Sequence, residues 1–284
     1  REVAVEAIFA LLAAEPSALD CAALQALYEA ATEEPTILTA YVDDLAVYAS
    51  AESLYQATAT HCLMELADAD PGSLLDVVPA LEAAARAEID ATRSYAVYAL
   101  SCVADTYPEA VSPAIDTLIE AMQSAEETTQ TNALAALGKI ASNYPDATDP
   151  IVRQLVALVD ADAKRIRNNA VGLLGDLAQE HPDVVIEHAD QIASRLTDDN
   201  IQARVNATIA LQRAGAADPG AIRAQRDQLV EALEDPSPEV RANVCSLIGN
   251  ATVRVPIETL EDVQANDLNE TVRDHAAWAL SQLR

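Results

Sequence analysis

IRNNAVGLLGDLAQEHP, residues 166–182, contains most of what decides the fold. Ala170, Leu174 and Leu177 stand four and then three residues apart, the spacing of one helical face, and Pro182 closes the run. Cousins of this stretch recur on both sides of it. Pro71, Pro108, Pro145, Pro182, Pro219 and Pro256 follow one another at intervals of 37 residues. The apolar positions keep step. Ala96, Ala133, Ala170, Ala207 and Val244 form one series, and Leu100, Leu137, Leu174, Leu211 and Ile248 a second. Val103, Ile140, Leu177, Ala214 and Ala251 form a third. A period of this length marks a solenoid, in which each two-helix unit buries its apolar face on the next. The proline stops one helix and, having no amide hydrogen to satisfy, suits the first turn of the following one. Gly138, Gly175 and Gly249 share a slot beside the stripe, where a missing side chain is expected to let helices approach.

Composition agrees with a helical array. Hydrophobic residues make up 51% of the 284-residue chain and aromatics only 4%, so the core has to be built from Ala, Leu, Val and Ile. Seven glycines and no Gly/Ser-rich stretch leave no obvious linker, and one elongated domain over residues 1–284 is expected. Residues 1–70 fit the repeat loosely, residues 71–255 hold the regular array, and residues 256–284 form a short capping repeat, since Arg241 and Arg273 are 32 apart rather than 37. The count is about eight helix pairs. The fold class expected is all-α, a right-handed α-α superhelix. The chain opens at Arg1 rather than Met, so a processed or trimmed form is expected.

The segments LEDPSPEVRANVCSLIGN (233–250), LTDDNIQARVNATIAL (196–211) and LNETVRDHAAWALSQL (268–283) resemble HEAT repeats, with an Asp in the turn and an arginine near the start of the second helix. Asp235 goes with Arg241 and Asp198 with Arg204, while Arg167 and Arg273 fill the arginine slot of two further units. The resemblance implies a stacked polar ladder in which each arginine satisfies turn groups of its own or an adjacent repeat. Buried ion pairs of this kind specify register more than they add stability. Ser237 and Pro238 read as an N-cap and a first helical residue. Arg93 and Gln130 flank the ladder without a matching Asp turn.

Charge narrows the classes of function. The chain has 46 acids against 17 bases, a net charge of −29, and Lys139 and Lys164 are its two lysines. Such a surface repels phosphate backbones and anionic lipid, so neither nucleic acid nor membrane is expected as a partner. Evenly spread acid with almost no lysine resembles the proteins of extreme halophiles, and a haloarchaeal, cytoplasmic protein is expected. Cys21, Cys62, Cys102 and Cys245 are far apart with no CxxC, so neither zinc nor redox chemistry is suggested. Cys62 occupies a core slot. The histidines His61, His181, His188 and His275 show no ligand spacing and no repeated His-Glu pair of the kind HEAT-like di-iron hydroxylases would imply. No cofactor and no metal are expected, and no enzyme activity.

Two features point to a binding surface. Asn132, Asn169, Asn206 and Asn243 recur at 37, with Tyr95 continuing the series upstream, although asparagine is unfavourable inside a helix. Either these amides hold the backbone of an extended peptide, as armadillo repeats are implied to do, or each binds the adjacent repeat. All eight tyrosines fall within the first 144 residues, and residues 1–152 hold 25 acids and four bases. Tyrosine in an acidic field suits recognition of a basic, flexible segment. Tyr95 and Tyr98 are the candidate anchors, while Tyr107 and Tyr144 precede repeat prolines and read as structural. The expected function is a non-enzymatic scaffold binding a protein or extended peptide. The alternative is an enzyme or enzyme subunit resembling the HEAT-containing phycobilin lyase-like group, which would need a deep apolar pocket.

Overall fold

The computed structural model describes residues 2–12, 20–50, 54–143 and 145–284, and every described element is helical. Tyr144 and the link between the first two helices lie outside the described residues. Among the described residues eight helix pairs follow one another. The second helix of each pair is unbroken, and these are labelled α1 (Asp20–Glu33), α2 (Gln56–Ala69), α3 (Asp90–Thr106), α4 (Glu127–Asn143), α5 (Lys164–Glu180), α6 (Ile201–Ala214), α7 (Pro238–Asn250) and α8 (Glu270–Leu283). Two compact units divide the chain, Arg1–Tyr144 and Pro145–Arg284. In the first, α1, α2, α3 and α4 stack in order; in the second, α5, α6, α7 and α8 do so. The chain is thus an all-α array of stacked helix pairs.

The stripe read from the sequence is the core. Ala96, Leu100 and Val103 on α3 are fully buried, as are Ala133, Leu137 and Ile140 on α4. Within the second unit Ala170, Leu174 and Leu177, then Ala207, Leu211 and Ala214, then Val244, Ile248 and Ala251 are buried in turn. Burying this apolar area contributes roughly 25 cal/mol per Å². It is the main reason that short, Ala-rich helices with little intrinsic stability persist. Cys62 and Cys245 are buried free thiols, and burial pushes the Cys245 thiol up to about 12.

The first helix of a pair is broken more often than the repeat pattern predicts. Pro71 opens a 3-10 segment, Pro71–Val77, which gives way to an α-helix at Val78–Ala84 containing Pro79. Pro113 lies in a 3-10 turn, Ser112–Ala114, between Pro108–Val111 and Ile115–Met122. A proline in mid-helix removes one backbone hydrogen bond and crowds the preceding turn, so the helix changes direction there. The fifth pair opens on one unbroken helix, Pro145–Leu158, with Pro150 inside it, and in the sixth and seventh pairs the break comes without proline, at His188 (φ −108, ψ 19) and Gln225 (φ −87, ψ 17).

Candidate functional site

In the second unit the ladder is built from two kinds of contact. Arg204 sends Nε to Asp235 Oδ2 at 2.6 Å and Nη2 to Asp235 Oδ1 at 3.2 Å, a fork onto the carboxylate of the next repeat. Its Nη1 donates to the backbone carbonyl of Asp198 in its own turn, at 2.8 Å. Arg167 grips Asp198 in the same way, at 2.8 and 3.2 Å, and Arg241 grips Asp267, at 2.7 and 2.9 Å. Arg273 ends the series on the Asp267 carbonyl. Asp198 and Arg204, or Asp235 and Arg241, therefore meet through the aspartate's carbonyl, while its carboxylate serves the preceding arginine. Asp267 is a rung that the sequence reading did not include.

Each carboxylate also ties its own turn: Oδ1 accepts from the amides of Asn200 (2.8 Å), Ser237 (2.7 Å) and Asn269 (2.8 Å) for Asp198, Asp235 and Asp267. Ser237 holds the N-cap position of α7, but its side chain makes no cap hydrogen bond; its own amide donates to the Asp235 carboxylate. Burial pushes the Asp198 carboxyl up, but hydrogen bonds from Arg167 and the Asn200 amide outweigh it and hold the group at about 2. The Arg241 fork, opposed by burial, holds Asp267 below the usual carboxylate range.

The first unit keeps the arginine side of this device and loses the aspartate. Arg93 donates to the carbonyls of Ala87 and Glu88, both at 2.7 Å, and pairs with Asp90 in its own turn. Where the next turn would offer a carboxylate stands Ser124, whose Oγ still accepts from the Glu126 amide at 3.2 Å. Gln130 replaces arginine and donates to the Ser124 carbonyl. A cleft of about 500 Å³ opens beside Arg93, Glu120 and Ser124.

The first unit also carries the groove. Tyr95 and Tyr98 on α3 and Asn132 on α4 line an open cleft of about 540 Å³, together with Met64, Thr131 and Glu127. The Tyr98 hydroxyl donates to Asp68 Oδ1 at 3.0 Å, a bond that pushes the phenol well above its ordinary range. Behind Tyr95 lies a ring stack. His61 is sandwiched face to face with Tyr28 at 3.7 Å and meets Tyr95 edge-on at 5.2 Å. Only 4% of the His61 side chain is exposed, its Nδ1 has no hydrogen-bond partner, and burial pulls it down to about 4. Nothing in the 37-residue pattern signals this histidine, because it has no counterparts in other repeats.

The asparagine series divides. Asn206 Nδ2 donates to Asn168 Oδ1 at 3.1 Å, and Asn243 Nδ2 to Thr208 Oγ1 at 2.9 Å, each bridging to the preceding second helix. Asn169 is half-buried on α5. Asn132 alone of the four stands with the tyrosine pair. Among the described residues no group of three His, Cys, Asp or Glu side chains could hold a metal ion, and no helix is long and apolar enough to cross a membrane.

Unbroken second helices stacked through a buried stripe, with turns tied by an Arg–Asp ladder, define an α-α solenoid of the armadillo and HEAT class. The chain matches the adaptin N-terminal region family over residues 1–245 and belongs to it. Among solved structures it is similar to an engineered protein with 22% identity and a TM-score of 0.62, covering 98% of this chain and 78% of that one. A designed armadillo repeat protein shares 18% identity at a TM-score of 0.52, over 86% of this chain and all of that one. At such identities the likeness is one of fold. No curated protein matches the chain significantly.

Proposed function

We propose that the protein is a non-enzymatic adaptor whose first unit binds an extended, basic segment of a partner protein. The observation that carries this reading is the meeting of Tyr95, Tyr98 and Asn132 in one open groove with Glu127 at its edge. Each described cation of that unit already faces a carboxylate: Arg86 pairs with Glu82 and Glu120, Arg93 with Asp90, and Lys139 with Asp105. The remaining acids leave a negative field that draws a cationic chain, and the phenol faces offer cation–π contacts worth roughly 0.5–1 kcal/mol each. An amide at Asn132 supplies the donor and acceptor needed by a peptide backbone. Membership in the adaptin N-terminal region family supports an adaptor over an enzyme. Asn206 and Asn243 spend their donors on neighbouring helices, so binding is assigned to Asn132.

The test is fluorescence anisotropy of a labelled Lys/Arg-rich peptide. Tyr98→Ala with Asn132→Ala should weaken binding about tenfold, a loss of ~1.4 kcal/mol, with little change in melting temperature. Equal affinity for a Glu-rich peptide of the same length would overturn the proposal.

A further inference from the structure

A second cleft, in the unit Pro145–Arg284, has no part in the groove above. Gln212 on α6, Ser246 and Asn250 on α7, and His275 and Trp278 on α8 enclose about 230 Å³. Trp278 is the single tryptophan of the chain, and 40% of it is exposed. The ring is held in place from below, because Gly249 leaves room for it: a Cβ there would lie 2.9 Å from Trp278 Cε3. His275 is oriented as well. The Ser246 hydroxyl donates to the Ala242 carbonyl at 3.2 Å, so its oxygen receives the His275 Nδ1–H at 2.7 Å. In the neutral imidazole that order makes Nε2 the acceptor.

The lining thus presents one aromatic face beside the side-chain amides of Gln212 and Asn250, whose oxygens can accept, and the His275 imidazole. No cation lines it. The arginines of the flanking helices are engaged elsewhere: Arg213 with Asp176 and the Gly175 carbonyl, Arg241 and Arg273 with Asp267 and its carbonyl. Asp274, exposed, stands one helical turn before Trp278 on the same side of α8. An aromatic face in a negative field attracts a cation. A guanidinium fits better than an ammonium, since it lies flat on an indole and carries five donors in its plane.

We infer that this cleft is a receptor for an arginine side chain of a partner protein. It deepens the adaptor reading by adding an anchor in the second unit, and it is tested separately from the groove. Trp278 reports directly on its own site. A Gly/Ser peptide carrying a pair of arginines should change Trp278 emission saturably, under the salt condition in which circular dichroism shows the protein folded. Gln212→Ala with Asn250→Ala, both exposed positions, should weaken that binding about tenfold, and so should replacing each arginine of the peptide by neutral citrulline. The Tyr98→Ala and Asn132→Ala variant should leave the Trp278 signal unchanged, so failure of the groove and failure of this cleft are distinguishable. Absence of a saturable change, or equal affinity for the citrulline or a lysine peptide, overturns the assignment.

Discussion

Thr252 is the described non-glycine residue with a left-handed backbone, at φ 49. It follows the last turn of α7, where the Val253 amide reaches back to the Ile248 carbonyl at 2.9 Å. Glycine is the usual occupant of such a position, and a β-branched residue carries a cost there of roughly 1–2 kcal/mol. The glycines nearby show the reverse situation. At Gly175 an added Cβ would meet Ala210 at 3.6 Å, ordinary contact, so the slot does not require glycine there. At Gly249 it would run into the Trp278 ring, so the missing side chain there seats an indole from the next second helix rather than a helix backbone. Thr252→Gly is therefore expected to stabilise the second unit by about 1 kcal/mol, and Gly175→Ala by up to about 1 kcal/mol through helix propensity. Gly249→Ala should destabilise it and alter Trp278 emission. Urea titration of the three variants checks the signs, and a stabilising Gly249→Ala would refute the packing argument.

Between elements, the ladder is the decisive contact, and the first unit offers a natural experiment on it. Ser124 keeps the turn-tying half of the aspartate's role without the half that reaches an arginine. Ser124→Asp should give Arg93 a carboxylate in the next turn. The gain is small, within about 1 kcal/mol, because Arg93 already has Asp90 and one side-chain amide bond is merely replaced. Removing a rung is a different matter. Asp235→Ala strands the Arg204 guanidinium, 12% exposed, and should cost about 3–5 kcal/mol. Chemical denaturation of both variants measures the contrast, and comparable small effects would show that the ladder does not hold the repeats. Apart from Asp267, the members of this ladder were legible in the sequence, but its wiring was not. A strict period places Arg204 six residues after Asp198 and 31 before Asp235, and repetition alone cannot say which carboxylate it takes. Buried apolar stripes need no such choice, which is why the fold could be read directly. Asp267 escaped because the last repeat is shorter, and the Tyr28–His61–Tyr95 stack escaped because it occurs once.

For the whole molecule, acid should act on the two units at different pH, and the aromatic residues can report each unit separately. Trp278 lies in the second unit and the tyrosines all fall in the first 144 residues, so indole emission follows one and the near-ultraviolet tyrosine signal the other. His61 is held at about 4 by burial, below its ordinary 6.5, so the unfolded chain takes up that proton first. Its contribution is complete above pH 6.5 and is lost as the pH falls to about 4, at up to ~1.4 kcal/mol per pH unit. Glu65, 3.6 Å from the ring and pushed up by burial and then by Asp68, acts in the opposite sense and softens the loss. The other groups against the ring are Tyr28, Tyr95 and the Thr32 hydroxyl. In the second unit Asp198 and Asp267 are held low, so their contribution is intact above the ordinary carboxylate value of 3.8 and is lost below it, as the pH falls through about 2 for Asp198. The tyrosine signal should therefore lose stability first, between about pH 6.5 and 4, with the tryptophan signal following only below 4. His61→Phe, which keeps a ring in the stack and removes the orphaned nitrogen, should move the tyrosine transition to lower pH and leave the tryptophan transition where it was. Coincident transitions, or a tyrosine transition that His61→Phe does not move, would show that burial of this imidazole is not what makes the first unit acid-sensitive.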